Sequence, residues 1–194
     1  GGAVSMTNLV SSSGVVSADV TGVGTARSTP QAAAYGGDKA IFGYGYNGSS
    51  NVSITNLVNN SGVVASDTTG VGTARRALAA AGYGSTGQAI FAYGYAANYT
   101  ALSNLVSNSG VVASDTAGVG TGRRSLAAAS YGGDKAIFAY GYTGSKLSMS
   151  NLVSNTGVVG SDVTGVGTAR GDLAASGYGG DKAIFGYGVT GVAV

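Results

Sequence analysis

Apolar residues come in short runs along this chain, and glycine closes almost every run. In LSMSNLV (147–153), Leu147, Met149 and Asn151 fall on one side of an extended chain, and Ser148, Ser150 and Leu152 on the other, an imperfect period of two. GVVAS and KAIFAYG are β-prone segments bounded by turn residues. ALAAA (77–81) has helical propensity by itself, but GVG precedes it at 70–72 and GYG follows at 82–84. Glycine at that density stops a helix. The pattern predicts strands throughout. In the third copy of a repeated unit they fall near 124–130, 135–141, 146–153 and 157–161.

The repeat is internal and fills the chain. The Asn of NLV stands at 8, 56, 104 and 151, spacings of 48, 48 and 47. Asp19, Asp67, Asp115 and Asp162 keep the same spacings, as do Arg27, Arg75, Arg123 and Arg170. The copies run over about 1–50, 51–98, 99–145 and 146–194, within a single domain. One small sheet cannot bury both faces, whereas copies packed face to face can. The expected fold is all-β: a β-propeller of four-stranded antiparallel blades of about 47 residues, four repeats per chain. The chain stops after a second strand and starts before a third. The last blade is therefore expected to join two C-terminal strands to two N-terminal ones and close the ring. A stacked β-solenoid is the rival, and a larger ring shared by two chains stays open.

TARRALAAAGYG…QAIFAYGY (73–95) resembles a kelch-type propeller blade. The resemblance places Arg75 and Ala79–Ala81 on a first strand, and Ile90 and Phe91 on a second. Gly94 falls in the family's glycine pair, Asn104–Leu105 near the end of a third strand, and Val111–Val112 where the family carries tryptophan. The chain departs from the pattern: tyrosine or alanine breaks the glycine pair, and the tryptophan is absent. Some kelch-type propellers carry a copper site built from Tyr, His and Cys. With no His or Cys in the chain, that chemistry does not transfer. The serine- and glycine-rich copies also resemble, by composition, repeat segments of bacteriophage tail and surface proteins.

Composition narrows the chemistry. Only 9% of residues are charged, and the net charge is +2, with eight Asp and no Glu. No basic cluster exceeds a pair, too sparse for phosphate-driven nucleic-acid binding. No apolar stretch is long enough for a membrane-spanning helix. The start, GGAVSMTNLV, does not read as a signal peptide. Without His, Glu or Cys, neither acid–base catalysis near neutrality nor a thiolate metal site is expected, so the chain reads as a non-enzyme without a cofactor.

Three residue sets are candidates. Each arginine (Arg27, Arg75, Arg123, Arg170) is expected to fork onto backbone carbonyls or onto the Asp eight residues upstream (Asp19, Asp67, Asp115, Asp162), a structural role suited to a planar, rigid donor. The alternative is a ring of anion-binding donors. Runs such as SDTTG (66–70) hold one carboxylate, where calcium sites usually want more, so an Asx-turn is expected. Asp38–Lys39, Asp134–Lys135 and Asp181–Lys182 read as solvated turn pairs. The third set is tyrosine, twelve residues with no Trp. The loops after GYGY vary in chemistry (NGSSN, AANYT, TGSKL), so ligand contact is expected there, at Tyr46, Tyr95 and Tyr142 with Asn47 and Asn98.

Two functions compete. The first is a binding module of a phage or cell-surface protein, outside the cell or on a virion, multivalent for glycan or a surface receptor. The second is a structural repeat packed in a fibre, tail or surface layer, as a homo-oligomer.

Overall fold

A computed structural model describes residues 2–191. The described residues are all-β, with eleven strands in four antiparallel sheets of three, three, three and two strands. The first sheet holds β1 (Gln31–Tyr35), β2 (Lys39–Gly43) and β3 (Thr55–Val58). The second holds β4 (Ala79–Tyr83), β5 (Gln88–Ala92) and β6 (Ser103–Val106). The third holds β7 (Ala127–Tyr131), β8 (Lys135–Tyr142) and β9 (Lys146–Val153). The last has only β10 (Ala174–Tyr178) and β11 (Lys182–Gly186). In each complete sheet the middle strand lies between its neighbours in a fixed register: Ile41 opposite Ala33 and Leu57, Phe42 opposite Asn56.

Each sheet packs its face on the next. The alanine-rich first strands lie side by side, β1 against β4, β4 against β7 and β7 against β10. Small side chains permit this approach, and Ser130 Oγ donates across it to the Gly82 carbonyl at 2.8 Å. The hairpin tips are tied by backbone bonds, Gly36 N–H to Gly87 O at 2.7 Å and Gly84 N–H to Asp134 O at 2.7 Å. On the middle strand, alternation sends isoleucine forward onto the next sheet and phenylalanine back onto the previous one. Ile41 and Tyr44 pack with Leu78 and Phe91; Ile90 and Tyr93 pack with Leu126 and Phe138. A strand covered on both faces needs an unbroken apolar run, which explains the AIF of every copy.

The row is open, and this corrects the expected fold. Among the described residues, packing runs between successive sheets, and no comparable packing joins the last sheet to the first. In a closed ring every isoleucine of the AIF motif would be covered. Here Ile41 and Ile90 are fully buried, while Ile184 is 57% exposed. The four sheets are therefore not propeller blades, and the chain is not a kelch-type β-propeller. Nor are the sheets four-stranded. The GVV segment meets the third strand only at isolated bridges, such as Val106↔Val112 and Ser103↔Thr116. Val111, where a kelch blade carries tryptophan, is 66% exposed. The expected terminal splice is absent too: Thr7 and Val10 bridge to Val20 and Val16 in a hairpin of their own, not to β11.

Candidate functional site

The recurring polar residues converge on one clasp in each three-stranded sheet. Arg75 enters before β4 and reaches under its own sheet, fully buried. Its Nε donates to Tyr93 O at 2.9 Å, its Nη1 to Thr73 O at 3.1 Å and its Nη2 to Asn104 Oδ1 at 2.7 Å. Asn104, on β6, turns its amide to Ala113 O at 3.0 Å and to Asp115 Oδ1 at 2.9 Å. Asp115 also accepts from Thr73, at 2.7 Å from its hydroxyl and 3.0 Å from its amide. Thr73 lies before the first strand and Asp115 after the third, so the clasp closes the unit at both ends.

The same geometry repeats. Arg27 donates to Asn56 at 2.6 Å, and Arg123 to Asn151 at 2.7 Å. Thr25 and Thr121 hydroxyls donate to Asp67 and Asp162, each at 2.7 Å. The carboxylate beside each arginine is thus the one beyond the sheet. Arg75 lies 3.9 Å from Asp115 and Arg27 3.9 Å from Asp67, rather than from the upstream Asp67 and Asp19. Asp19 instead accepts from Asn8 at 2.9 Å. Asn56, Asn104 and Asn151 are the hubs that sequence reasoning passed over. The available signal was a polar residue recurring inside an apolar strand at the same spacing as Arg and Asp.

Arg75, Arg123 and Arg170 are each covered by a tyrosine from the preceding unit. The Arg75 guanidinium sits 4.3 Å from the Tyr44 ring centre, Arg123 4.1 Å from Tyr93 and Arg170 3.9 Å from Tyr140. The tyrosine hydroxyls donate onward, Tyr44 to Val71 O at 3.2 Å and Tyr93 to Val119 O at 3.3 Å. The rings also tilt against the next phenylalanine, Tyr44 on Phe91 at 5.2 Å and Tyr93 on Phe138 at 5.5 Å. Reaching across requires a bend in the strand. Tyr44, Tyr93, Tyr140 and Tyr187 all adopt positive φ, 61° to 66°, each followed by a positive-φ glycine. In β8 this bend is a bulge between Ala139 and Gly141. Left-handed backbone at a tyrosine is costly, so its recurrence marks a contact that repays it.

Burial and these contacts shift the titrating groups. Burial pushes the Tyr93 hydroxyl up to about 12, against the opposing pull of Arg123. Burial lowers the Arg75 and Arg123 guanidinium values. For Asp67, Asp115 and Asp162, partial burial raises the carboxyl value, but hydrogen bonds from threonine and asparagine outweigh it and leave the group below the usual range.

The tyrosines expected to meet a ligand lie elsewhere, on a half-buried ridge along the row. Arg76 lies 4.8 Å from the Tyr46 ring and 5.6 Å from Tyr95. Arg124 lies 5.5 Å from Tyr95 and 5.4 Å from Tyr142, and Lys146 5.2 Å from Tyr142. Tyr99 fills the space between Tyr95 and Tyr142, at 5.4 and 6.0 Å. Asn47 closes an Asx-turn, accepting from Ser49 and Ser50 amides at 3.0 and 2.8 Å. Asn98 is exposed in its loop. No group of three or more metal-ligating side chains occurs among the described residues. No helix among the described residues is long and apolar enough to cross a membrane.

No protein-family model matches the sequence, and no curated protein is significantly similar to it.

Proposed function

We propose that the chain is a non-catalytic structural repeat, a stack of clasped sheets that builds a fibre, tail or surface layer outside the cell. The observation that carries this reading is the use made of the recurring residues. Arg75 is consumed between Tyr44 of the preceding unit and Asn104 of its own, and Arg123 between Tyr93 and Asn151. These donors face protein groups, which argues against an anion-binding role. Both oxygens of Asp115 are likewise taken by Thr73 and Asn104. Repetition then serves packing, and identical units suit stacking.

A second reading, multivalent recognition of glycan or a surface receptor, draws on the ridge of Tyr46, Tyr95 and Tyr142 alternating with Arg76, Arg124 and Lys146. Evenly repeated aromatic and cationic groups suit an extended ligand. Each ring, however, already stacks with at least one of these cations. A glycan array separates the readings: the structural one expects no binding above background. Binding that disappears when Tyr46, Tyr95 and Tyr142 become serine, with the fold intact, would establish the second reading instead.

A further inference from the structure

The doubled arginines of the second and third units divide their roles. Arg75 and Arg123 turn inward and commit their donors to the clasp. Arg76 and Arg124, the next residues, reach the ridge instead. Backbone bonds pin each to the tyrosine of its own unit, Arg76 to Tyr95 at 3.0 and 2.9 Å and Arg124 to Tyr142 at 3.1 and 2.9 Å. Each guanidinium lies beside two rings, Tyr46 and Tyr95 for Arg76, Tyr95 and Tyr142 for Arg124. Rings engage the faces of a guanidinium and leave its in-plane N–H donors at the edge.

Those donors have no protein acceptor. Neither side chain makes a hydrogen bond or an ion pair among the described residues, whereas Lys146, at the end of the ridge, pairs with Asp172 at 3.3 Å. The other four arginines and four lysines equal the eight aspartates in number, so the net charge of +2 corresponds to Arg76 and Arg124. Packing does not require the pair. The clasp arginine recurs in all four units, but the residue after it is Ser28 in the first and Gly171 in the fourth. Ser28 bridges to Tyr46 without any cation, as Arg76 bridges to Tyr95.

We propose that this stretch of the ridge docks an extended acidic segment of a partner protein, one carboxylate forked onto Arg76 and a second onto Arg124. A carboxylate fits because it is planar and takes two parallel N–H···O bonds from one guanidinium. The spacing selects an extended chain. The guanidiniums lie 5.6 and 5.5 Å from the same Tyr95 ring centre, which bounds the gap between them. A polyproline-II segment has three residues per turn, so every third side chain returns to one side after about 9 Å, within that bound. The ridge suits a saccharide less, since its rings already stack on cations and the Asn47 oxygen is taken by the Ser49 and Ser50 amides. This joint adds a partner to the structural reading and does not rest on it.

The test is fluorescence anisotropy of a labelled peptide of Glu-Pro-Pro repeats, titrated with the unmodified protein at low salt. Binding is expected, weakening as salt is added. A peptide of the same composition with its glutamates adjacent is expected to bind several-fold more weakly. Arg76→Gln with Arg124→Gln is expected to weaken binding at least about tenfold at an unchanged unfolding midpoint. Arg76→Lys with Arg124→Lys keeps the charge without the fork, and is expected to fall between the two. No binding by the unmodified protein, or undiminished binding by the glutamine variant, would overturn the docking site and leave the structural reading standing. Equal binding of the two peptides would overturn the two-point contact. A polyuronate that binds more tightly than the peptide, and is lost in the same variant, would overturn the protein partner and support the second reading above.

Discussion

Tyr93 and Tyr187 hold the same position in their repeats and the same backbone bend, yet one is fully buried and the other 94% exposed. Arg123 lies 4.1 Å from the first ring, whereas no cation lies against the second among the described residues. The contrast extends to isoleucine, with Ile90 sealed and Ile184 more than half exposed. Residue identity is shared, so the environment comes from the neighbour. A unit here is not an autonomous fold. Its stability is the sum of its own clasp and the interfaces on either side, as in other linear repeat arrays.

The sharpest way to break the comparison is Arg123→Ala against Arg170→Ala. Loss of Arg123 removes its bonds to Tyr140, Thr121 and Asn151 and leaves buried acceptors unpaired. Chemical denaturation should show a loss of about 3–5 kcal/mol. Arg170, with two backbone bonds and its stack on Tyr140, should cost only about 1 kcal/mol. Equal losses would mean that the clasp contributes nothing beyond the stack.

Tyr93→Leu against Tyr187→Leu comes next. The first forfeits a desolvated cation–π contact and the hydroxyl bond to Val119, worth about 2–3 kcal/mol together. The second alters a ring that is 94% exposed and should leave the unfolding midpoint unchanged.

Acid unfolding sharpens the contrast between clasped and unclasped carboxylates. The depressed values of Asp67, Asp115 and Asp162 mean that the unfolded chain binds protons more readily than the folded one. Their stabilisation is complete above the unfolded carboxyl value, about 4, and is lost as pH falls through the lower folded values. Stability should therefore drop below about pH 4, and Asp115→Asn should flatten that limb. A limb unaltered by the substitution would place the acid sensitivity elsewhere.

The smallest effect belongs to the ridge. Tyr95→Ser exchanges a half-buried ring for solvent without touching a clasp, and should change stability by about 1 kcal/mol or less. A cost equal to that of Tyr93→Leu would make the ridge part of the core.

Much of the secondary structure was legible because it depends on local pattern. The strands expected near 135–141 and 146–153 appear as Lys135–Tyr142 and Lys146–Val153. Closure was not legible, because it depends on the angle accumulated between successive sheets, which a repeat of about 47 residues does not encode. The fourth strand failed for a local reason. Gly62, Gly110 and Gly157 take positive φ at the turn into GVV, and only alternate bridges form beyond it. The arginine's carboxylate was misassigned because nearness in sequence favoured Asp67 for Arg75, whereas Asp115 returns to it through three strands. The bend that carries the Tyr44-type rings onto the next unit's arginine was not legible either.

The most direct test of the open, neighbour-stabilised row is amide hydrogen exchange, resolved by segment, on the unmodified protein. Slowest exchange is predicted in β5 and β8, whose sheets are covered on both faces, with β10 and β11 fastest among the strands. Uniform protection of all four hairpins, as a closed ring would produce, would contradict the account.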